Sequence, residues 1–221
     1  MSAVSRRLIL GAAALGALAC GDIASPERTD LYEWRLFVPG TGGGTDTLSF
    51  FWSQSRLPVR IWAEDAAGLP GYAERAIGVW QSGFLYREFR GEMVSDSSTA
   101  DVLIFANSAP NLTLGVHRLH SMAPECSGAT DVEVSDDHTA LLIPIRVFID
   151  PVLPVDQPAT QTCLALTTIH ELGHALGIFQ HSPDPDDIMF ADPRVEAPSE
   201  RDRGTIEAIY HYPPTLEPVR P

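Results

Sequence analysis

The 221-residue sequence predicts an α+β fold, on three observations. Extended stretches rich in β-branched and aromatic residues fill most of the first two thirds. One apolar stripe at helical spacing interrupts them, and a longer helical pattern follows the last of them. A hydrophobic content of 44% is enough to build a core, and the length suits one domain or one domain with two lobes.

The elements can be justified in chain order. "LYEWRLFV" (31–38) alternates like a strand, and "PGTGGGTD" (39–46) is rich in turn-forming glycine before "TLSFFW" resumes an extended pattern. Either a hairpin or a strand after a linker fits. "LPVRIWAE" (57–64) is a strand, and residues 71–84 place Ala73, Ile77, Trp80 and Phe84 on one helical face that would pack on a sheet. "YREFRGEMV", "ADVLIFA", "LTLGVHRLH" and "LLIPIRVFID" read as further strands. A second helix is expected over residues 160–176, with Pro158 as start signal and Gly177 as stop signal. No internal repeat is evident.

Residues 1–19 read as an export signal peptide, with a basic start, an apolar run over 8–19 and small residues before Cys20. That run is short of the ~20 residues a bilayer span requires. Arg6-Arg7 also resembles a twin-arginine signal, so the export route stays open. Ala17-Leu18-Ala19 fits ordinary cleavage, whereas Cys20-Gly21 resembles a lipobox; both cut at the same bond. The expected product is a bacterial membrane-anchored lipoprotein with a lipid on Cys20, or else a periplasmic or extracellular protein. Residues 20–45 are assigned to a tether and N-terminal strand, and 46–221 to the main domain.

Acids outnumber bases 29 to 15, for a net charge of −14 that becomes −16 once Arg6 and Arg7 are removed. Phosphate binding needs clustered cations, and a chain with no lysine argues against nucleic acid as a partner. In an exported protein Cys126 and Cys163 are expected to form a disulfide. Cys163 lies about two helical turns before His170 and would face away from a metal there.

His170 and His174 are four residues apart on the predicted helix, so their rings can converge on one ion. Glu171 lies about 100° around the helix from His170, placed to touch a water at the ion without ligating it. Gly177 permits the left-handed turn that ends a helix, and His181 arrives on the returning loop. Three protein ligands leave a fourth position open, as in catalytic rather than structural zinc sites.

These residues resemble the metzincin metallopeptidases, closest to the matrixin-like bacterial branch. The family pattern H-E-x-x-H-x-x-G-x-x-H matches at His170, Glu171, His174 and Gly177, then departs by one inserted residue. Gln180 occupies the expected position of the third histidine. His181, followed by Ser182 as in some bacterial relatives, is favoured as the ligand because an amide binds zinc poorly. Asp184 or Asp186 is the minority alternative. Met189 matches the methionine turn beneath the zinc site, "LGVHR" (114–118) resembles the edge strand above the cleft, and residues 199–213 resemble the closing helix, with Ser199 and Asp202 as a capping box.

The resemblance implies a zincin-type catalytic domain: a twisted mixed sheet with an edge strand over the cleft, an active-site helix, a Met-turn and a C-terminal helix. It implies a monomeric zinc endopeptidase that hydrolyses peptide or protein substrates by a metal-activated water, with Glu171 as general base and one catalytic Zn²⁺ on His170, His174 and His181. A cysteine-switch propeptide and the matrixins' structural zinc loop are not recognisable.

The run Asp131, Glu133, Asp136 and Asp137 reads as a solvated acidic loop; it lacks EF-hand spacing, so calcium has no supporting pattern. His117, His120 and His138 read as exposed or hydrogen-bonded histidines, with His117 or His120 lining the cleft if their strand is the edge strand. The competing function is an exported zinc-binding surface lipoprotein that acts as an adhesion or binding module without turnover.

Overall fold

The computed structural model describes residues 30–40, 42–84 and 86–221. The signal peptide, the cleavage site and Cys20 lie outside the described residues. The chain divides into Met1–Asp30 and Leu31–Pro221. Residues 31–45, set apart above as tether and strand, therefore fold within the same unit as the rest.

The fold is α+β, with a mixed sheet and, among the described residues, three α-helices. Two strands, β1 (Leu36–Pro39) and β2 (Thr45–Leu48), form an antiparallel hairpin around the glycine-rich turn. The main sheet contains β3 (Val59–Ala63), β4 (Gly91–Met93), β5 (Val102–Phe105), β6 (Val116–Met122), β7 (Cys126–Val134), β8 (Ala140–Pro151) and β9 (Glu217–Val219). Its order is β4-β3-β5-β8-β7-β6, with β4, β3, β5 and β8 parallel and β7 and β6 antiparallel, which leaves β6 at an edge. β9 runs parallel to the first residues of β8, on the edge that β5 occupies further along.

Strand alternation makes the core. Val59 and Ile61, Val102 and Ile104, and Ile145 and Val147 are buried on one face, in the same cluster as the helix residues Ile77, Trp80, Leu164 and Leu172. The opposite face carries the aromatic row Trp62, Phe105 and Phe148, with centroids 5.7 and 5.5 Å apart.

Helix α1 (Leu69–Ser82) has proline in its first turn and buries the predicted stripe of Ala73, Ile77 and Trp80. Helix α2 (Pro158–Ala175) takes Pro158 as its first residue, and Gly177 follows it at φ +114°. The Trp80 indole donates to the Ile169 carbonyl at 2.8 Å and the Trp52 indole to the Ala175 carbonyl at 3.0 Å, so aromatic residues from two other segments fix the depth of α2. Helix α3 (Glu200–His211) begins with the Ser199/Asp202 capping box. No helix among the described residues is long and apolar enough to cross a membrane.

One element departs from the sequence reading. Asp131 and Glu133 lie within β7 rather than in an acidic loop, and Asp131 is buried in a two-bond pair with Arg118 of β6, both at 2.6 Å. A cross-strand cation neutralises the aspartate and allows its burial.

Cys126 at the start of β7 is bonded to Cys163 in the second turn of α2. The bridge closes a separation of 37 residues, for which chain entropy gives roughly 4 kcal/mol. Replacing both cysteines by serine is expected to lower the unfolding free energy by about 2–4 kcal/mol in denaturant titration, with the secondary structure retained. A loss below about 0.5 kcal/mol would show that packing alone holds α2 on β7.

Candidate metal centre

Helix α2 is buried from Cys163 to Ala175 without interruption, so the site is assembled inside the fold rather than on it. His170, Glu171 and His174 have no exposed surface. Buried polar groups need partners, and each of these residues has an identifiable one.

The His170 Nδ1 lies 2.8 Å from the Ile188 carbonyl and the His174 Nδ1 lies 2.5 Å from the Ile178 carbonyl. Both contacts commit an Nδ1–H to the backbone, which leaves the two Nε2 atoms as bare acceptors. His181 comes from the loop after Gly177 and is partly buried. The three ring centroids stand 4.7, 5.2 and 5.1 Å apart, a near-equilateral triangle. One nitrogen from each of His170, His174 and His181 falls within 4.8 Å of the others.

That triangle fits a divalent cation. The His170 Nε2 is buried with no hydrogen-bond partner, and the His174 Nε2 faces the His181 Nε2 at 3.3 Å. A cation shared by the three rings would satisfy the orphaned His170 Nε2 together with the other two nitrogens. Neutral imidazoles are a donor set that suits zinc.

The alternatives for the third position are directed elsewhere. Gln180 donates its amide to the Arg35 carbonyl at 2.9 Å, away from the histidines. Asp184 pairs with Arg201 at 2.6 Å and accepts from the Asp186 amide. His181 lies beyond the end of the helix, and His170 and His174 stand one helical turn apart within it.

Met189 is fully buried, and its sulfur sits against Gly173, one residue before His174. A Cβ at Gly173 would run into that sulfur and into the Trp80 ring, so the close approach of the loop requires glycine. The loop itself is pinned to α3. Asp187 accepts from Ser182, from Ser199 at 2.6 Å and from Arg201 at 2.8 Å. Asp202 accepts from the Ile188 amide at 2.9 Å and from the Tyr32 hydroxyl at 2.8 Å. Since the carbonyl of the same Ile188 holds His170, the α3 cap positions a histidine of the triangle.

Glu171 is placed outside the triangle. Its Oε1 accepts from Ser121 at 2.6 Å and its Oε2 from Thr130 at 2.7 Å. Burial pushes its carboxyl up to about 8 despite these two hydroxyls. Ser121 and Thr130 escaped the sequence reading. No local pattern marks them, since they meet Glu171 only through the register of β6 on β7.

Among the other histidines, His120 is exposed, His138 contacts Asp46 at 2.7 Å, and His117 is partly buried.

The buried groups make apoprotein stability depend on pH. Burial lowers His170 from 6.5 to about 3, lowers His174 well below 6.5 and lowers His181, while it raises Glu171 from 4.5 to about 8. Through the window 4.5–6.5 the unfolded chain binds the histidine protons that the folded chain refuses, while Glu171, and Asp202 whose burial also raises it, act in the opposite sense. Stability therefore rises with pH up to about 6.5 and then falls toward 8 as the buried carboxyl disfavours ionisation. Thermal unfolding of chelated protein is expected to show its maximum near pH 6.5; a plateau from pH 6.5 to 8 would mean that Glu171 ionises freely in the folded apoprotein.

Neither models of protein families nor curated proteins match the chain, so the chemistry of the site rests on its own residues.

Proposed function

We infer that this chain is an exported, zinc-dependent endopeptidase of metzincin type. The observation that carries the reading is the triangle of imidazoles with an orphaned, buried His170 Nε2, next to a carboxylate on the same helix. The Met189 packing beneath the histidines and the position of β6 at the sheet edge are in keeping with that family.

His170, His174 and His181 would hold the ion. When bound, zinc supplies a Lewis acid that acidifies a water and polarises a carbonyl. Glu171 takes the proton of the attacking water as the C–O bond forms and delivers it to the departing amine nitrogen as the C–N bond breaks. The Ile188 and Ile178 carbonyls keep both helical imidazoles in the ligating tautomer, and the edge of β6 offers backbone groups for pairing with an extended peptide.

One observation favours a second reading, a zinc-binding surface module without turnover. Glu171 is fully buried and both of its oxygens are engaged by hydroxyls. Cleavage of a mixed peptide library by zinc-loaded protein, abolished by chelator, separates the two. Absence of cleavage with zinc bound selects the binding module.

Two sets of variants test the roles. Glu171→Ala is expected to retain zinc and lose about 10²- to 10⁴-fold in turnover, the range for removal of a general base; near-normal turnover of the loaded variant would exclude Glu171 as that base. His181→Ala is expected to weaken zinc binding by more than the roughly 10- to 100-fold typical of a supporting residue, whereas Gln180→Ala and Asp184→Ala should keep one zinc per chain in metal titration. Wild-type affinity in folded His181→Ala would remove the third histidine from the site.

A further inference from the structure

Cys163, Thr167 and Glu171 are four residues apart and share the face of α2 that lies on β7. On the facing strand Cys126, Gly128 and Thr130 alternate, and Ser121 of β6 stands opposite Gly128 in register. The disulfide joins the first of these facing positions, and the Cys126 sulfur lies 3.3 Å from the Thr167 hydroxyl. Glu171 is thereby set over a glycine with a hydroxyl on either side. A Cβ at Gly128 would collide with Glu171 Oε1, Ser121 Oγ and the Thr167 methyl, so the pocket for the carboxylate exists only because residue 128 has no side chain. Thr130 Oγ1 also lies 3.1 Å from the Glu171 carbonyl, which ties that hydroxyl to the helix backbone as well as to the side chain.

We propose that Ser121 and Thr130 act as a two-hydroxyl clamp that positions the Glu171 carboxylate, with Gly128 opening the space it occupies. The proposal deepens the peptidase reading and rests on it for its catalytic consequence. A glutamate side chain has three torsions to fix, and one hydroxyl per oxygen fixes its carboxylate plane. Because Ser121 belongs to β6, the edge strand itself supplies one of the two hydroxyls that hold the base. A strand that pairs with substrate would then also set the geometry of the base.

The test uses the zinc-loaded full chain and the variants Thr130→Val, Thr130→Ser, Ser121→Ala and Ser121→Thr. Loss of either hydroxyl is expected to lower kcat by about 10- to 100-fold with KM and zinc content unchanged, and the hydroxyl-keeping variants should restore most of it. Unchanged kcat in both Thr130→Val and Ser121→Ala, against an active wild type, overturns the clamp. A readout independent of turnover is the thermal unfolding of the metal-free protein with Thr130→Val, Glu171→Met and the pair. The clamp requires that the midpoint loss of the pair be smaller than the sum of the separate losses, whereas additive losses overturn it. An inactive wild type that still shows this coupling removes the peptidase reading and supports the clamp.

Discussion

A helix buried on every side leaves its polar side chains no water to hydrate them, and the middle of α2 is such a helix. Thr168 turns back to the Leu164 carbonyl, Thr167 meets Cys126, and Glu171 finds Ser121 and Thr130. His170 and His174 each spend one nitrogen on a carbonyl. What remains is the Nε2 side of the triangle. The candidate metal centre thus holds one of the two buried polar atoms of α2 that lack a partner, the His170 Nε2, the other being the Thr160 Oγ1 in the first turn. The same requirement explains why so many separate segments converge here: each supplies a partner that a solvated helix would take from water.

Support for the histidines is layered. Ile188 touches His170 through its carbonyl and Asp202 through its amide, so the α3 cap and Tyr32 bear on a histidine of the triangle by way of one residue. The neighbouring chain contributes as well, since the Phe179 amide donates to the Trp34 carbonyl and Gln180 holds Arg35. The loop that carries His181 is anchored immediately before that residue. These anchors decide where the His181 side chain arrives.

Much of this was legible in the sequence, for local reasons. Helical spacing located α1 and α2, Pro158 and Gly177 marked the ends of α2, and Ser199 with Asp202 announced α3. The histidines were readable because a four-residue interval on one helix is itself a geometric statement. Other features lay beyond it because they depend on register between distant strands. β7 was missed where glycine and aspartate interrupt its alternation, and the neutralising Arg118 sits on another strand. The burial of Asp187 was equally hidden: its partners Ser182, Ser199 and Arg201 are drawn from both sides of the chain. Resemblance suggested what Glu171 does, but only the register of β6 on β7 showed what surrounds it.

The three residues of β9 lie along β8 in the middle of the sheet, and Arg220 beyond them reaches Asp101, which Arg60 also holds. The segment around Pro218 therefore takes a place in the sheet beside β8, with Pro218 itself buried. Contacts this distant in sequence make loop closure the slow part of folding. Until residue 219 is available, the first residues of β8 have β7 on one side and no strand on the other.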